Sequence, residues 1–325
     1  MADVDPRLGA LLGGRYRVER ALGAGAMGAI YEAVHVDLDK RVAVKIVSPS
    51  ASERAHGSET SHADEIAARF RREARAAGRI ASEYVLEVYD VGRDPMLGMF
   101  MVTELLAGED LETRLQREGQ LEIETATMIG YQVARGLARA HAAGVVHRDL
   151  KPSNIFLTTR DDGTLLAKIV DFGVAKVSSC PDGPLTAKGT ALGTPQYMAP
   201  EQLEGALDVD GRADVWSLAA CLYEMLSGKA PFADRGSYLD IMIAIAREAI
   251  EPLRIQAPWV PAAVAEVVDH GLERDRAFRT ENAATFASSL RLAGSKRRAR
   301  ETARASTTMR RVSVPAPPSA KSRGK

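Results

Sequence analysis

The residues best suited to chemistry lie in one short stretch near the middle of the chain. Asp149, Lys151 and Asn154 bring a carboxylate, an ammonium group and a carboxamide within six positions. A carboxylate can accept a proton from a nucleophile, a lysine can neutralise a phosphate, and an amide oxygen can bind a metal ion. Asp171 follows seventeen residues after Asn154 and adds a second oxygen ligand of the kind that Mg²⁺ prefers. The spacing predicts a site that holds a nucleophile, a phosphate and a metal together.

A glycine cluster near the N-terminus is a second candidate for phosphate binding. Gly23, Gly25 and Gly28 follow the pattern G-x-G-x-x-G, which alone is weak evidence. Alternating residues from Tyr16 predict a strand before the cluster, and residues 29–35 predict another strand after it. This context favours a hairpin whose backbone amides close over phosphates, although a purely structural hairpin fits the glycines equally well. A dinucleotide-dependent oxidoreductase is disfavoured, because there the third glycine opens a helix.

Lys45 and Glu73 are candidates for an internal ion pair. Residues 41–47 predict a strand on which Ala43 and Lys45 share one face. Glu73 lies at the edge of the apolar stripe of a predicted helix, three residues after Phe70. A buried carboxylate is costly without a cation, so Lys45 is its expected partner. The alternative is a solvated surface lysine.

Apolar periodicity predicts that the elements around these residues are of two kinds. Strands over 84–92 and 98–105 complete an N-terminal antiparallel sheet with one helix, and residues 48–64 are predicted to form a loop. The chain then becomes helical, with helices over 124–143 and 214–226. The second of these helices is apolar around its whole circumference, which is typical of a core helix. The predicted class is α+β.

Composition limits the class of protein further. The 325 residues are 46% hydrophobic and 26% charged, which excludes a small stapled scaffold and a wholly disordered chain. With 43 basic and 43 acidic residues, the chain gives no electrostatic reason to expect nucleic acid as a partner. The two cysteines, Cys180 and Cys221, suggest neither a disulfide framework nor a zinc site. Since no apolar run approaches the ~20 residues of a membrane span, we expect a cytoplasmic location.

Taken together, these motifs resemble a eukaryotic-type protein kinase domain, from residue 16 to about residue 291. The match continues with Ala199-Pro200-Glu201, Asp214-Val215-Trp216 and a late arginine, Arg279. In this family such an arginine pairs with the glutamate that corresponds to Glu201. The sequence around Met27, the richness in alanine and arginine, and the basic tail look most like the bacterial Ser/Thr branch. One departure is Ala219, which stands where the family usually has glycine.

The resemblance implies a bilobal protein kinase fold. The expected division is an N-terminal extension over 1–15, an N-lobe over 16–105, a C-lobe over 106–294 and a basic, disordered tail over 295–325. The N-lobe would hold the antiparallel sheet and one main helix, and the C-lobe would be mainly helical. A nucleotide would lie between the lobes.

The resemblance also implies the reaction and the role of each residue. The reaction is transfer of the γ-phosphoryl group of ATP to Ser or Thr hydroxyls of protein substrates, with Mg²⁺. Asp149 would orient the hydroxyl and accept its proton, Lys151 would neutralise charge on the transferred group, and Lys45, held by Glu73, would bind the α- and β-phosphates. The implied metal ligands are Asn154 and Asp171. The implied nucleotide-binding residues are Leu22, Gly23, Gly25, Gly28, Ile30, Ala43, Lys45, Thr103, Glu104 and Leu106.

Arg148 indicates how the enzyme would be regulated. In this family such an arginine commonly receives a phosphate from the loop between Asp171 and Glu201. Thr190 is the first candidate for that phosphate and Thr186 the second. The alternative is a loop that is ordered without modification. The resemblance also allows self-association for trans-autophosphorylation.

The tail carries a further candidate phosphosite. Residues 295–325 hold ten Lys or Arg against a single acid, and Ser313 follows Arg310-Arg311-Val312 in a pattern that resembles a basophilic kinase site. The tail could be phosphorylated, inhibit the acidic domain, contact anionic lipid or act as an inert linker.

A kinase-shaped scaffold without turnover is the main alternative function. It predicts the loss of Lys45, Asp149 or Asp171, and all three are present.

Overall fold

The computed structural model describes residues 5–25, 28–47, 70–71, 74–75, 77–172, 195–203 and 209–295. Several residues named above lie outside this described part: Glu73, Cys180, Thr186, Thr190 and Ser313.

The N-terminal part contains a six-stranded antiparallel sheet and, among its described residues, one helix. Its strands are β1 (Leu11–Leu12), β2 (Tyr16–Gly25), β3 (Gly28–His35), β4 (Lys40–Val47), β5 (Val88–Asp94) and β6 (Gly98–Thr103), in the order β1-β2-β3-β4-β6-β5. The helix, α1, covers the described residues between 70 and 77. Because β1 pairs with β2, the sheet begins before residue 16.

The two faces of this sheet differ as the alternation in the sequence predicts. Val42, Val44 and Ile46 are buried among the side chains of one face. Ala43 and Lys45 lie on the opposite face, since successive residues of a strand point to opposite sides. Lys45 therefore lies on the face of the sheet opposite the apolar cluster, and this face is turned toward the rest of the molecule.

The C-terminal part consists of a three-stranded sheet and helices. The strands are β7 (Gly108–Asp110), β8 (Ile155–Thr159) and β9 (Leu165–Ile169). The helices are α2 (Leu111–Glu118), α3 (Ile123–Ala142), α4 (Pro200–Leu203), α5 (Arg212–Ser227), α6 (Tyr238–Arg247), α7 (Leu253–Gln256), α8 (Ala262–Gly271) and α9 (283–295). Two short 3-10 turns lie at Pro152–Asn154 and Pro195–Tyr197. The bilobal α+β fold is thus the predicted one.

Helix α5 forms the centre of the C-terminal core. Nearly all of its side chains are buried, which confirms the interpretation of its uniformly apolar sequence. Ala219 on α5 is fully buried, and a Cβ placed on Gly271 of α8 would lie 2.6 Å from the Ala219 Cβ. The two helices therefore meet closely at this point, and Ala219 is accommodated because its partner lacks a side chain.

The predicted strand over 84–92 begins later than expected. Its first residues leave the N-terminal sheet and bond instead to the C-terminal part, with Leu86 N–H donating to Ile169 O (2.9 Å) and Ile169 N–H donating to Tyr84 O (2.9 Å). This exchange ties the two parts together beside the end of β9. None of the helices in the described ranges is both long enough and apolar enough to cross a bilayer.

Candidate active site

The glycine cluster forms the end of a hairpin. Gly25 lies opposite Gly28, and Gly23 lies opposite Ile30 in the pairing of β2 with β3. Gly28 has a φ of 141°, and a Cβ there would lie 2.1 Å from the backbone oxygen of Ile46. Only glycine allows so close an approach to β4. A strand rather than a helix follows Gly28, so the dinucleotide-binding turn is excluded.

One face of the N-terminal sheet carries the residues expected around a nucleotide. Ile30 lies opposite Lys45, and Ala43 lies opposite Thr103, so each pair shares a face of the sheet. Thr103 is buried, whereas Ile30 and Leu22 are exposed. An apolar surface with a lysine beside it suits a flat ring joined to phosphates.

The segment after β6 connects the two lobes. The Glu104 side chain is held away from the connection itself, because its Oε1 accepts from Lys168 Nζ (2.7 Å) and from Glu87 N–H (2.8 Å). The Glu104 carbonyl accepts a hydrogen bond from the Thr103 hydroxyl (3.1 Å). Lys168, which sequence reasoning did not single out, thus fixes the predicted hinge residue from β9.

The loop between α3 and β8, which is the predicted catalytic loop, is held by a carboxylate from α5. Asp214 is fully buried, and its two oxygens accept from the backbone N–H groups of His147 and Arg148 at 2.8 Å each. The same carboxylate contacts His141 Nε2 at 2.7 Å. Three groups converge on one buried side chain, so the start of the loop has a single defined position.

The polar residues of the loop cluster around Asp149. Asn154 Nδ2 donates to the Asp149 carbonyl (2.7 Å) and lies 3.4 Å from the carboxylate Oδ2. Lys151 Nζ lies 3.8 Å from the same Oδ2. The structure therefore brings together the carboxylate, the ammonium group and the carboxamide that the sequence placed within six positions.

Asp171 is brought to this cluster by the small C-terminal sheet. Val170 N–H donates to Asn154 O at 2.9 Å, so the residues after β9 run beside the end of the catalytic loop. Asp171 has a φ of 53°, which turns the chain at this point. Its Oδ1 lies 2.6 Å from Lys45 Nζ. The lysine of one lobe and the carboxylate of the other therefore meet across the cleft.

The predicted partner of Lys45 was Glu73, which lies outside the described residues. Within the described ranges the ammonium group pairs with Asp171. The ion pair between Lys45 and Glu73 stays a prediction.

His147 connects the loop to the segment around Asp171. It is completely buried, and its ring centroid lies 4.9 Å from that of Phe172, itself buried. Burial lowers the pKa of His147, opposed by the nearby Asp214 carboxylate. The ring accepts from Asp149 N–H through Nδ1 (3.2 Å) and lies 3.3 Å from Val170 O through Nε2. These contacts fit a neutral imidazole that carries its proton on Nε2.

The donor groups around Asp149 suit a hard divalent cation. Because Asn154 turns its Nδ2 toward Asp149, its amide oxygen faces the other way. The Asp171 carboxylate is 41% exposed and sits beside the same loop. A carboxylate and an amide oxygen are ligands that Mg²⁺ accepts while it keeps several waters.

A second cluster ties the end of the catalytic region to the helical core. Arg279 donates to Glu201 through two nitrogens at 2.7 and 3.1 Å, and both side chains are buried. The Arg279 guanidinium also lies 5.1 Å from the centre of the Trp216 ring. This buried bidentate pair agrees with the contact that the resemblance implies.

A sheet with a glycine hairpin above a helical lobe, and a lysine meeting an aspartate between them, is the architecture of protein kinases. The family model for the protein kinase domain matches residues 16–299, and the chain belongs to this family.

The relatives are bacterial kinases, which confirms the predicted branch. The chain is 38% identical over 288 residues to the serine/threonine-protein kinase PknA of Mycobacterium tuberculosis, covering 87% of this chain and 62% of PknA. It is 34% identical over 321 residues to the serine/threonine-protein kinase pkn3 of Myxococcus xanthus, covering 97% of this chain and 56% of pkn3. The chain thus spans less than two thirds of the length of these relatives.

A solved structure agrees with the fold. The crystal structure of a double mutant of the Mycobacterium tuberculosis PknI kinase domain superposes with a TM-score of 0.65 and 27% sequence identity. The match covers 90% of this chain and 99% of the PknI chain.

Proposed function

We propose that this chain is an ATP-dependent serine/threonine protein kinase that transfers the γ-phosphoryl group to Ser and Thr hydroxyls of protein substrates. The observation that carries the proposal is the meeting of two groups of residues in one cleft. Lys45 Nζ lies 2.6 Å from the Asp171 carboxylate. Asn154 and Lys151 both contact Asp149. Phosphoryl transfer requires positioning and charge stabilisation above all, and these residues supply both.

The catalytic loop would act on the substrate hydroxyl. Asp149 would orient the hydroxyl toward the phosphorus and accept its proton. Its side chain is 17% exposed, so it is open to a substrate, and its Oδ2 lies 3.4 Å from Asn154 Nδ2. Lys151, 3.8 Å from the same carboxylate, would neutralise charge on the transferred group.

The N-terminal sheet would hold the nucleotide. Lys45 would bind the α- and β-phosphates, and the amides near Gly23, Gly25 and Gly28 would cover them. Mg²⁺, when bound through Asn154 and Asp171, supplies neutralisation of the phosphate charge. The apolar side chains of Leu22, Ile30 and Ala43 would pack on adenine, beside Thr103. Backbone groups of Glu104 and Leu106 would form its hydrogen bonds.

Specificity for serine and threonine is supported by the loop sequence and by the relatives. Lys151-Pro152-Ser153-Asn154 resembles the Ser/Thr branch, and the similar bacterial proteins are named as serine/threonine-protein kinases. The proposed acceptor is therefore the hydroxyl group of a serine or threonine in a protein substrate.

Activation by phosphorylation is supported by the state of Arg148. Its Nε is buried, and among the described residues it has no hydrogen-bond partner. A phosphate dianion would satisfy such a donor. We therefore keep Thr190 and then Thr186 as the candidate sites, and Ser313 as a candidate in the tail. Mass spectrometry of the chain and of the Asp149→Asn variant tests this: phosphate at either activation-loop threonine is expected only in the active form.

The scaffold alternative is not favoured, because no residue that catalysis requires is missing. The lobe boundaries, the cytoplasmic location and self-association for trans-autophosphorylation stay predictions.

The decisive experiment uses radiolabelled ATP and Mg²⁺ with the purified chain, alone and with a generic basic protein acceptor. We expect labelled phosphoserine and phosphothreonine. Dominant phosphotyrosine would contradict the specificity, and no transfer to either acceptor would contradict the activity.

A further inference from the structure

The residue before Asp149 has an unusual backbone. Arg148 has a φ of 63°, in the left-handed region of backbone conformation that residues other than glycine rarely adopt. A residue keeps such a conformation only where its surroundings hold it. The groups that hold Arg148 therefore also determine where the next residue, Asp149, is placed.

Two side chains from different helices bind the backbone of Arg148. Asp214 of α5 accepts from its N–H at 2.8 Å, and Gln202 of α4 donates from Nε2 to its carbonyl at 2.8 Å. Asp214 also binds the neighbouring His147 N–H. Gln202 is the group that fixes the carbonyl.

The amide of Gln202 has a defined orientation. Its Oε1 accepts from Ala199 N–H at 3.0 Å, while its Nε2 faces the Arg148 carbonyl. A flipped amide would place oxygen against oxygen at one end and NH₂ against N–H at the other. The side chain is therefore matched to both contacts.

The planarity of the peptide bond transmits this contact to Asp149. The Arg148 carbonyl and the Asp149 N–H belong to one rigid plane that also contains the Asp149 Cα. Gln202 binds the carbonyl edge, and His147 Nδ1 accepts from the N–H edge at 3.2 Å. With both edges held, the plane cannot rotate, and the Asp149 Cα, from which the carboxylate side chain projects, has a defined position.

We propose that Gln202 is a positioning residue for the Asp149 carboxylate, an inference that rests on the proposed kinase function. Gln202 touches neither the substrate nor the nucleotide in this role. It acts by fixing the 148–149 peptide from α4, and Asp149, Arg148 and Gln202 line one small pocket together.

The sharpest variant is Gln202→Glu. It keeps the size of the side chain and an acceptor for Ala199 N–H, but it places a carboxylate oxygen against the Arg148 carbonyl. Because a small misplacement near the reacting atoms can cost up to about 100-fold in rate, we expect kcat to fall by about 10- to 100-fold. The KM for ATP should change less than about two-fold, since residues other than Asp149 bind the nucleotide. Gln116→Glu, on the exposed surface of α2, is the matched control.

The proposal is overturned if kcat of Gln202→Glu stays within about two-fold of the unmodified chain. A loss of kcat accompanied by an equal loss of ATP affinity and a lower Tm would also overturn it, because that result indicates general destabilisation.

A crystal structure of the Gln202→Glu chain gives a second, activity-independent test. We expect the 148–149 peptide to rotate and the Asp149 carboxylate to move, whereas an unchanged peptide would overturn the inference. If the unmodified chain transfers no phosphate at all, the proposed function fails, and this comparison still decides whether Gln202 positions Asp149.

Discussion

Single side chains from distant parts of the chain define the site. Lys45 and Asp171 are separated by 126 positions, and Arg148 and Asp214 by 66. The sequence predicted Lys45, Asp149 and Asp171 because their motifs are local and chemically specific. It gave no role to Gln202, because a glutamine carries no such signal until the fold brings it to the catalytic loop.

Replacement of Asp149 separates catalysis from binding. Asp149→Asn keeps the size of the side chain but removes the proton acceptor, so the rate of transfer should fall by about 10²- to 10⁴-fold. ATP affinity, measured by titration calorimetry, should change little, because the role proposed for Asp149 is to act on the substrate hydroxyl and not to bind the nucleotide. A variant with near-normal turnover would show that another group accepts the proton.

His147 makes stability depend on pH. Burial lowers its pKa in the folded chain, so the unfolded chain binds a proton that the folded chain does not. The contribution of His147 to the free energy of unfolding is complete above the pKa of a histidine in the unfolded chain, about 6.5, and is lost as the pH falls below that value.

The measurement is urea unfolding of the natural chain and of His147→Gln between pH 7.5 and 5. As the pH falls, the free energy of unfolding of both chains should decrease. The decrease for the variant should be smaller than that for the natural chain by up to about 1.4 kcal/mol per pH unit. Parallel curves would mean that His147 does not titrate differently in the two states.

At the scale of elements, periodicity predicted the type and approximate place of the helices and strands better than it predicted the residues at which they begin and end. The helices predicted at 124–143 and 214–226 are observed at Ile123–Ala142 and Arg212–Ser227. The strand predicted from residue 84 begins at Val88, since the preceding backbone pairs with Ile169 in the other lobe. Such pairing depends on the tertiary fold and leaves no local pattern.

The contact between α5 and α8 can be tested by overpacking. In Gly271→Ala the new Cβ would lie 2.6 Å from Ala219 and 2.7 Å from Phe286. We expect a loss of about 1–3 kcal/mol in the free energy of unfolding, measured in urea. Gly294→Ala is the control, because nothing lies within 4 Å of the added Cβ.

A second substitution at the same contact distinguishes steric crowding between α5 and α8 from a local effect of the Gly271 substitution on α8 itself. Ala219→Gly in the Gly271→Ala background should restore part of the lost stability, since it removes one of the two crowded groups. A purely additive loss would contradict the packing explanation.

At the scale of the whole molecule, buried polar groups join the catalytic region to the core. The Glu201 and Arg279 pair lies in the interior of the C-terminal lobe, where an unpaired charge is costly. Composition and periodicity predict that a core exists here, but only the family resemblance predicted this pair, because its members are 78 positions apart.

Arg279→Met leaves Glu201 buried without its cation. We expect a loss of about 3–5 kcal/mol in the free energy of unfolding. Arg235→Met, which removes one partner of an exposed pair with Glu248, should cost less than about 1 kcal/mol. Equal losses in the two variants would show that burial does not govern the energy of these pairs.

The most direct measurement of the central claim is a crystal structure of the chain with Mg²⁺ and a non-hydrolysable ATP analogue. We predict that the terminal phosphate lies in front of Asp149, with the metal bound by Asn154 and Asp171 and with Lys45 on the inner phosphates. An analogue bound outside this cleft, or a terminal phosphate remote from Asp149, Asn154 and Asp171 in every copy, would contradict the account.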